Sequence, residues 1–182
     1  MSIEPRAILI LGGARSGKSR YAIERALAIG GRTAFVATAE ALDEEMAKRI
    51  LQHRRERPRQ WITVEEPLDL VAAVRDLADR ADTLIVDCLT VWVANRCQRE
   101  VSDEAILADA DALADLIKTR TVTMFVVSNE VGLGVHPETA MGLRFRDLLG
   151  AVNQRLAAAA DRVVMMVAGL PLIVKDAQHE ST

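Results

Sequence analysis

Ala7-Ile8-Leu9-Ile10-Leu11-Gly12-Gly13-Ala14-Arg15-Ser16-Gly17-Lys18-Ser19 is an apolar run that ends in a glycine loop and opens onto a helical pattern, Arg20 to Ala28. Five consecutive apolar residues suit a strand buried on both faces. Gly12 to Ser19 then match G-x-x-x-x-G-K-[ST], the phosphate-binding loop, in the strand-then-helix setting that the motif requires. Gly12, Gly13 and Gly17 let the backbone approach phosphate oxygens where a Cβ would clash or forbid positive φ. The loop amides, those of Ala14, Arg15 and Ser16 included, point at the anion from a helix N-terminus. Lys18 is expected to reach the β- and γ-phosphates, and Ser19 to offer its hydroxyl to Mg2+. A nucleoside triphosphate is therefore the expected ligand.

At 182 residues the chain is expected to form one domain spanning residues 1–182, with a frayed polar tail at about 177–182. Half of its residues are hydrophobic but only 3% are aromatic, which leaves few rings for stacking bases of single-stranded nucleic acid. A net charge of −3 and a pI near 5.7 lack the basic footprint of phosphate-backbone binding. Nucleic acid is thus an unsuitable partner. No apolar run approaches the ~20 residues of a membrane span. Cys88 and Cys97, without a signal peptide ahead of them, read as reduced thiols of a cytoplasmic protein.

Strand-like runs alternate with helical patterns, the signature of a parallel sheet built from βαβ units. Strands are expected near Ala7–Leu11, Thr33–Thr38, Trp61–Val64, Thr83–Asp87, Thr123–Ser128, Arg162–Ala168 and Leu172–Lys175. Helices are expected near Lys18–Ile29, Leu42–Arg57, Leu68–Ala78, Leu89–Gln98, Asp103–Lys118 and Pro137–Ala160, with Ser102 as an N-cap and Pro137 in a first helical position. Gly169-Leu170-Pro171 is expected to turn the last two strands into a hairpin, giving the sheet one antiparallel edge.

Thr83-Leu84-Ile85-Val86-Asp87 is an apolar strand ending in a carboxylate. Beside a phosphate loop, Asp87 is expected to hold Mg2+ directly or through water; a strand-end turn residue is the plain alternative. The segment Leu42 to Trp61 is more distinctive. Between Lys48 and Arg59 it has six basic residues and one acid, a local charge of +5 in an acidic chain. That describes either an anion site or a solvated face. On a helical wheel His53 falls within about 20° of Leu42, on the stripe with Met46 and Ile50, so it is expected to point toward the protein. Spacing alone suits a core histidine. It also suits an imidazole nucleophile whose neighbouring arginines neutralise an incoming phosphate. His136 and His179 read as incidental.

GGARSGKS, the RI-x-x-H-x3-RP-x2-W-x3-E run from Arg49 to Glu65, the block Ser128-Asn129-Glu130-Val131-Gly132-Leu133-Gly134, and Phe145-Arg146-Asp147 followed by Asn153-Gln154-Arg155-Leu156-Ala157 resemble the bifunctional adenosylcobinamide kinase/adenosylcobinamide-phosphate guanylyltransferases of cobalamin biosynthesis. The likeness runs from about Ile8 to Lys175. It implies a P-loop NTPase of α/β class, with a RecA-like, mainly parallel sheet flanked by helices and a homo-oligomeric assembly. It implies two reactions: phosphorylation of adenosylcobinamide by ATP or GTP, then transfer of GMP from GTP to that phosphate.

Carried over by position, the guanylylated histidine is His53, with Lys18 as the second catalytic residue. Nucleotide contacts fall on Gly12 to Ser19, on Ala37, Thr38 and Ala39, on Arg54, Arg55, Glu56 and Arg57, and on Glu65 and Asp87. Ser19 and Asp87 are the implied Mg2+ ligands, the ion arriving with GTP or ATP, and no permanently bound cofactor is expected. Two positions depart from the family pattern: His136 replaces an expected apolar residue, and Gln52 precedes the histidine where some members have a second one. Two rivals share the loop: a small-molecule kinase has no need of the histidine block, and a nucleotide switch needs an N-K-x-D segment that Ser128-Asn129-Glu130-Val131 does not supply.

Overall fold

Side chains alternate along the central strands between two apolar layers. Ala7 and Leu9 of β1 (Ala7–Gly12) enter one core while Ile8 and Ile10 enter the other, and Leu84 and Ile85 of β4 (Thr83–Asp87) divide in the same way. A strand covered on both faces must be apolar throughout, which is why these segments read as continuous runs. The computed structural model describes residues 6–41, 44–55, 57–119 and 121–177.

Seven strands form one sheet. With β2 (Thr33–Ala37), β3 (Ile62–Glu65), β5 (Thr123–Val127), β6 (Arg162–Val167) and β7 (Leu170–Asp176), the order is β3-β2-β4-β5-β1-β6-β7, parallel except for the β6–β7 hairpin. The larger core lies under α3 (Leu70–Ala78), α4 (Leu89–Gln98), α5 (Asp103–Thr119) and α6 (Ala140–Ala159). The smaller one packs under Ala22, Ile23 and Ala26 of α1 (Lys18–Ile29). α2 is described from Glu44 to Arg55. Strands β1, β4 and β5 end level with one another, so the loops at their carboxyl ends share one edge, where open α/β sheets bind ligands.

Two expected boundaries move. The hairpin turns at Ala168 and Gly169, both at positive φ, and β7 already begins at Leu170 with Pro171 opposite Met166. Proline is tolerated there because β7 is the outermost strand and its missing N–H interrupts no ladder beyond it. Pro137 does not open α6. Thr139 caps that helix, its Oγ1 accepting from Gly142 N at 3.1 Å, while Pro137 packs back on the first turn, where a Cβ on Gly142 would approach it to 2.9 Å. α1, α3, α4 and α5 match their expected spans within two residues, and Ser102 Oγ accepts from Ala105 N as the cap of α5. The expected Leu42–Arg57 helix is helical over Glu44–Arg55, with residues 42, 43 and 56 outside the described ones.

Candidate active site

The glycine loop between β1 and α1 has the backbone that its sequence demands. Gly12 stands at φ 147° and Gly17 at φ 95°. A Cβ on Gly12 would lie 2.6 Å from the Met166 carbonyl oxygen and 2.7 Å from Ser16 Oγ, so both conformation and space require glycine. Lys18 is buried, and its ammonium donates to the Gly13 carbonyl at 2.6 Å, which sets the charge across the loop. Burial lowers the Lys18 pKa, opposed by its electrostatic interactions with Cys88 and Asp87. Ser16 Oγ is buried with no hydrogen-bond partner among the described residues. An orphaned hydroxyl inside a loop rich in exposed amides suits an anionic ligand that would satisfy both.

Asp87 ends β4 in register with Ala37 of β2 and Val127 of β5. It keeps some solvent contact at the mouth of the site, yet desolvation by its other neighbours pushes its carboxyl above the ordinary range. A hydrogen bond from Ser19 opposes that shift, followed by the charges of His53, Arg57 and Lys18. Burial, then the adjacent Asp87, raises the Cys88 thiol to about 11, so it is an un-ionised neighbour and not a nucleophile. Ser19 and Asp87 fit Mg2+: one hydroxyl and one carboxylate are the few hard oxygen ligands that a nucleotide-bound Mg2+ takes from protein. The described residues contain no larger His/Cys/Asp/Glu cluster that would hold an ion by itself.

His53 lies on the last turn of α2 and is exposed, against the expectation that it points into the core. Nothing among the described side chains of α2 is fully buried: Ala47 and Ile50 are half-buried and Leu51 is exposed, so the helix covers the domain only lightly. The wheel places His53 beside the inward stripe, and a lightly docked helix leaves that face open to solvent. His53 is nonetheless close enough for its charge to lower the pKa of Asp87. The arginines behind it are engaged with the sheet. Arg54 pairs with Glu65 at the end of β3, Nη2 to Oε1 at 2.5 Å, and the Arg57 guanidinium lies 3.8 Å from the Phe35 ring centroid. Arg55 is exposed, and Glu56 lies outside the described residues. Ala37 is buried and its carbonyl accepts from Glu66 N at 2.9 Å, while Ala39 is half-buried. Thr38 is fully buried and its hydroxyl is spent on Cys88.

Residues 8–174 match the model of a protein family described as cobinamide kinase/cobinamide phosphate guanyltransferase. The chain belongs to this family. It is 42% identical over 167 residues to the bifunctional adenosylcobalamin biosynthesis protein CobP of Pseudomonas aeruginosa, covering 92% of this chain and 96% of that one. The corresponding CobU of Escherichia coli is 35% identical over 180 residues, 92% of this chain and 99% of that one. Among solved structures, the RadB recombinase superposes with a TM-score of 0.52 at 14% identity, over 88% of this chain and 74% of that one. This last likeness concerns the fold: a RecA-like P-loop NTPase sheet.

The cobinamide kinase/guanyltransferase family is a family of bifunctional enzymes of cobalamin biosynthesis. Several side chains brace the loops at this edge of the sheet, and of these Asn95 and Thr90 escape sequence reading. Buried Asn95 of α4 donates from Nδ2 to the Thr38 carbonyl at 2.8 Å and to the Pro67 carbonyl at 3.2 Å. Thr90 Oγ1 accepts from Asn129 N at 2.7 Å, and Asn153 Nδ2 donates to the Asn129 carbonyl at 3.0 Å. The Glu130 amide donates to the Gly12 carbonyl at 3.2 Å, so this braced segment lies against the phosphate loop. The only local signal for Asn95 is an amide on the apolar face of a helix, whereas Asn129, Glu130 and Asn153 stand in the blocks that carry the family resemblance.

Proposed function

We propose that the chain phosphorylates the aminopropanol hydroxyl of adenosylcobinamide with ATP or GTP, and then moves GMP from GTP through His53 onto the new phosphate. The products are pyrophosphate and adenosylcobinamide-GDP. One observation carries the reading: His53, on the last turn of α2, lies within electrostatic reach of Asp87, the carboxyl that Ser19 hydrogen-bonds beside the phosphate loop.

In the second reaction an imidazole nitrogen of His53 attacks the α-phosphorus of GTP. A P–N bond forms as the P–O bond to pyrophosphate breaks, with Lys18 neutralising the leaving group. A phosphate oxygen of the substrate then attacks that phosphorus and the P–N bond breaks, returning the histidine. Arg54, Arg55 and Arg57 counter the charge that gathers on the nucleotide, and Glu65 fixes the first of them. Ser19 and Asp87 would hold Mg2+, which supplies charge neutralisation on the phosphates.

The same proposal includes assembly of several copies in the cytoplasm. β7 supports it: Leu170, Leu172, Ile173 and Val174 are all more than half exposed on an outermost strand, a liability that a second copy would cover. No helix among the described residues is long and apolar enough to cross a membrane.

The test is covalent labelling. GTP labelled at the α-phosphorus should leave on the protein a label that survives alkali and is released by mild acid, because protonation makes the P–N nitrogen a good leaving group. γ-Labelled GTP should leave none. His53→Ala should lose the label and the formation of adenosylcobinamide-GDP while still phosphorylating adenosylcobinamide. Label retained by His53→Ala, or mapped to His136, would overturn the assignment.

A further inference from the structure

A second opening lies on the other flank of the phosphate loop. It is a cleft of about 420 Å3 lined by Arg15, Ser16 and Gly17 of the loop, by Arg20, Tyr21 and Glu24 of α1, and by Met166, Ala168 and Gly169 of the β6–β7 turn. The strand order sets it apart from the His53 site. β6 borders β1 on one side, whereas β5, β4 and β2, with Asp87 and the α2 arginines, lie on the other. The turn is fixed to the loop: Gly169 N donates to the Ser16 carbonyl at 3.0 Å, and a Cβ on Gly17 would lie 3.4 Å from Gly169 Cα. The Ser16 hydroxyl, buried and without a partner among the described residues, belongs to its lining. A Cβ on Gly169 would meet nothing, so the floor of the cleft is bare backbone.

The chemistry of the two reactions requires opposite orientations of a triphosphate. In the kinase step the γ-phosphorus reacts, and in the guanylyl step the α-phosphorus does. If both meet their partner on the Asp87 and His53 flank, the nucleoside must lie on opposite sides of the loop in the two steps. We propose that the cleft between α1 and the β6–β7 turn binds the base and ribose of the phosphoryl donor in the kinase step, while the α2 flank takes the nucleoside of GTP in the guanylyl step. This rests on the bifunctional reading above. The size of the cleft suits a nucleoside, given pockets of roughly 300–1,000 Å3 for small ligands. Its lining suits a purine: a flat floor at Gly169 and Met166, guanidinium groups of Arg15 and Arg20 to stack on the ring, and the Glu24 carboxylate to accept from ribose hydroxyls or an exocyclic amine.

Arg20 and Glu24 form an exposed i,i+4 pair at 2.7 Å, so removing both leaves the fold intact. In Arg20→Ala/Glu24→Ala the KM of the phosphoryl donor for adenosylcobinamide phosphorylation should rise about tenfold with kcat nearly unchanged, the mark of lost nucleoside binding. The GTP concentration for half-maximal α-labelling of the protein should stay within about twofold. In the unaltered protein, 8-azidoadenosine triphosphate should cross-link to peptides of α1 and the β6–β7 turn. An unchanged donor KM, an equal rise in both half-reactions, or cross-links confined to residues 44–66 would overturn the proposal. Absence of any α-label from the unaltered protein would instead sink the guanylyl-histidine reading, and the donor KM would still decide whether the cleft binds the donor.

Discussion

The Thr38 hydroxyl and the Cys88 backbone form a reciprocal pair: Oγ1 donates to the Cys88 carbonyl at 2.7 Å and accepts from the Cys88 amide at 2.9 Å. Together with the bond from Thr38 N to the Asp87 carbonyl at 3.1 Å, this fastens the end of β2 to the residue that follows the Asp87 carboxylate. Asn95 holds the same turn from below by its bond to the Thr38 carbonyl. The carboxylate of the site is therefore aimed by a neighbouring strand and a helix as well as by its own.

Thr38→Val keeps the shape of the side chain and removes both hydroxyl bonds, leaving the Cys88 amide without that partner. The expected cost is about 1–3 kcal/mol, the usual penalty for a buried donor left unmade. Thermal melts check it, with Thr38→Ser expected to recover most of the loss. A Val variant that melts with the unaltered protein would show the pair to be dispensable.

Lys18→Ala should leave the circular dichroism spectrum unchanged and reduce both half-reactions, each by about 10²–10³-fold if the ammonium counts as one electrostatic donor. Its buried ammonium bonds a loop carbonyl and not the core, so folding does not depend on it. Near-normal rates in either half-reaction would contradict a phosphate loop shared by both.

What could be read in the sequence follows the range of the interactions. The phosphate loop and the Asp87 strand are set by contiguous residues whose spacing carries the chemistry, and both stand where local pattern puts them. The His53 segment was legible as a helix but not in its depth, because helical periodicity gives direction around an axis and not how firmly that helix docks. Thr139 outcompeted Pro137 for the start of α6 through a side-chain bond that a proline at N1 would not supply. The cleft beside Gly17 was out of reach altogether, since its walls come from residues about 150 positions apart. The Thr38–Cys88 pair, separated by 50 positions, was invisible for the same reason.

The outer face of β7 supplies a prediction about assembly. Leu172→Lys/Val174→Lys places charge on an exposed apolar edge where it costs the isolated domain little. Light scattering after size exclusion should show the unaltered protein as an oligomer and the double variant as a monomer. Equal masses for both would mean that copies meet through another surface, or not at all.

Asp87 should reveal itself by the sign of a pH dependence. Burial raises its carboxyl above the ordinary value near 3.8, even after the opposing bond from Ser19 and the charges of His53, Arg57 and Lys18. Below that ordinary value the folded and unfolded chains both hold the proton. Between it and the raised native value the unfolded chain has released its proton while the folded one keeps it, so stability falls as pH rises through this window and stays lower above it. Asn at this position cannot ionise, so Asp87→Asn should melt at a higher temperature than the unaltered protein at pH 7 in EDTA, with the gap closing toward pH 4. The same variant should need more Mg2+ for half-maximal rate in both half-reactions, because one anionic oxygen of a hard-cation site is gone. Greater stability and poorer metal use in one substitution would mark Asp87 as a charge kept at a cost for the nucleotide's metal. If the unaltered protein instead gains stability over Asp87→Asn as pH rises, its carboxylate is held by structural partners and the metal role loses its physical basis.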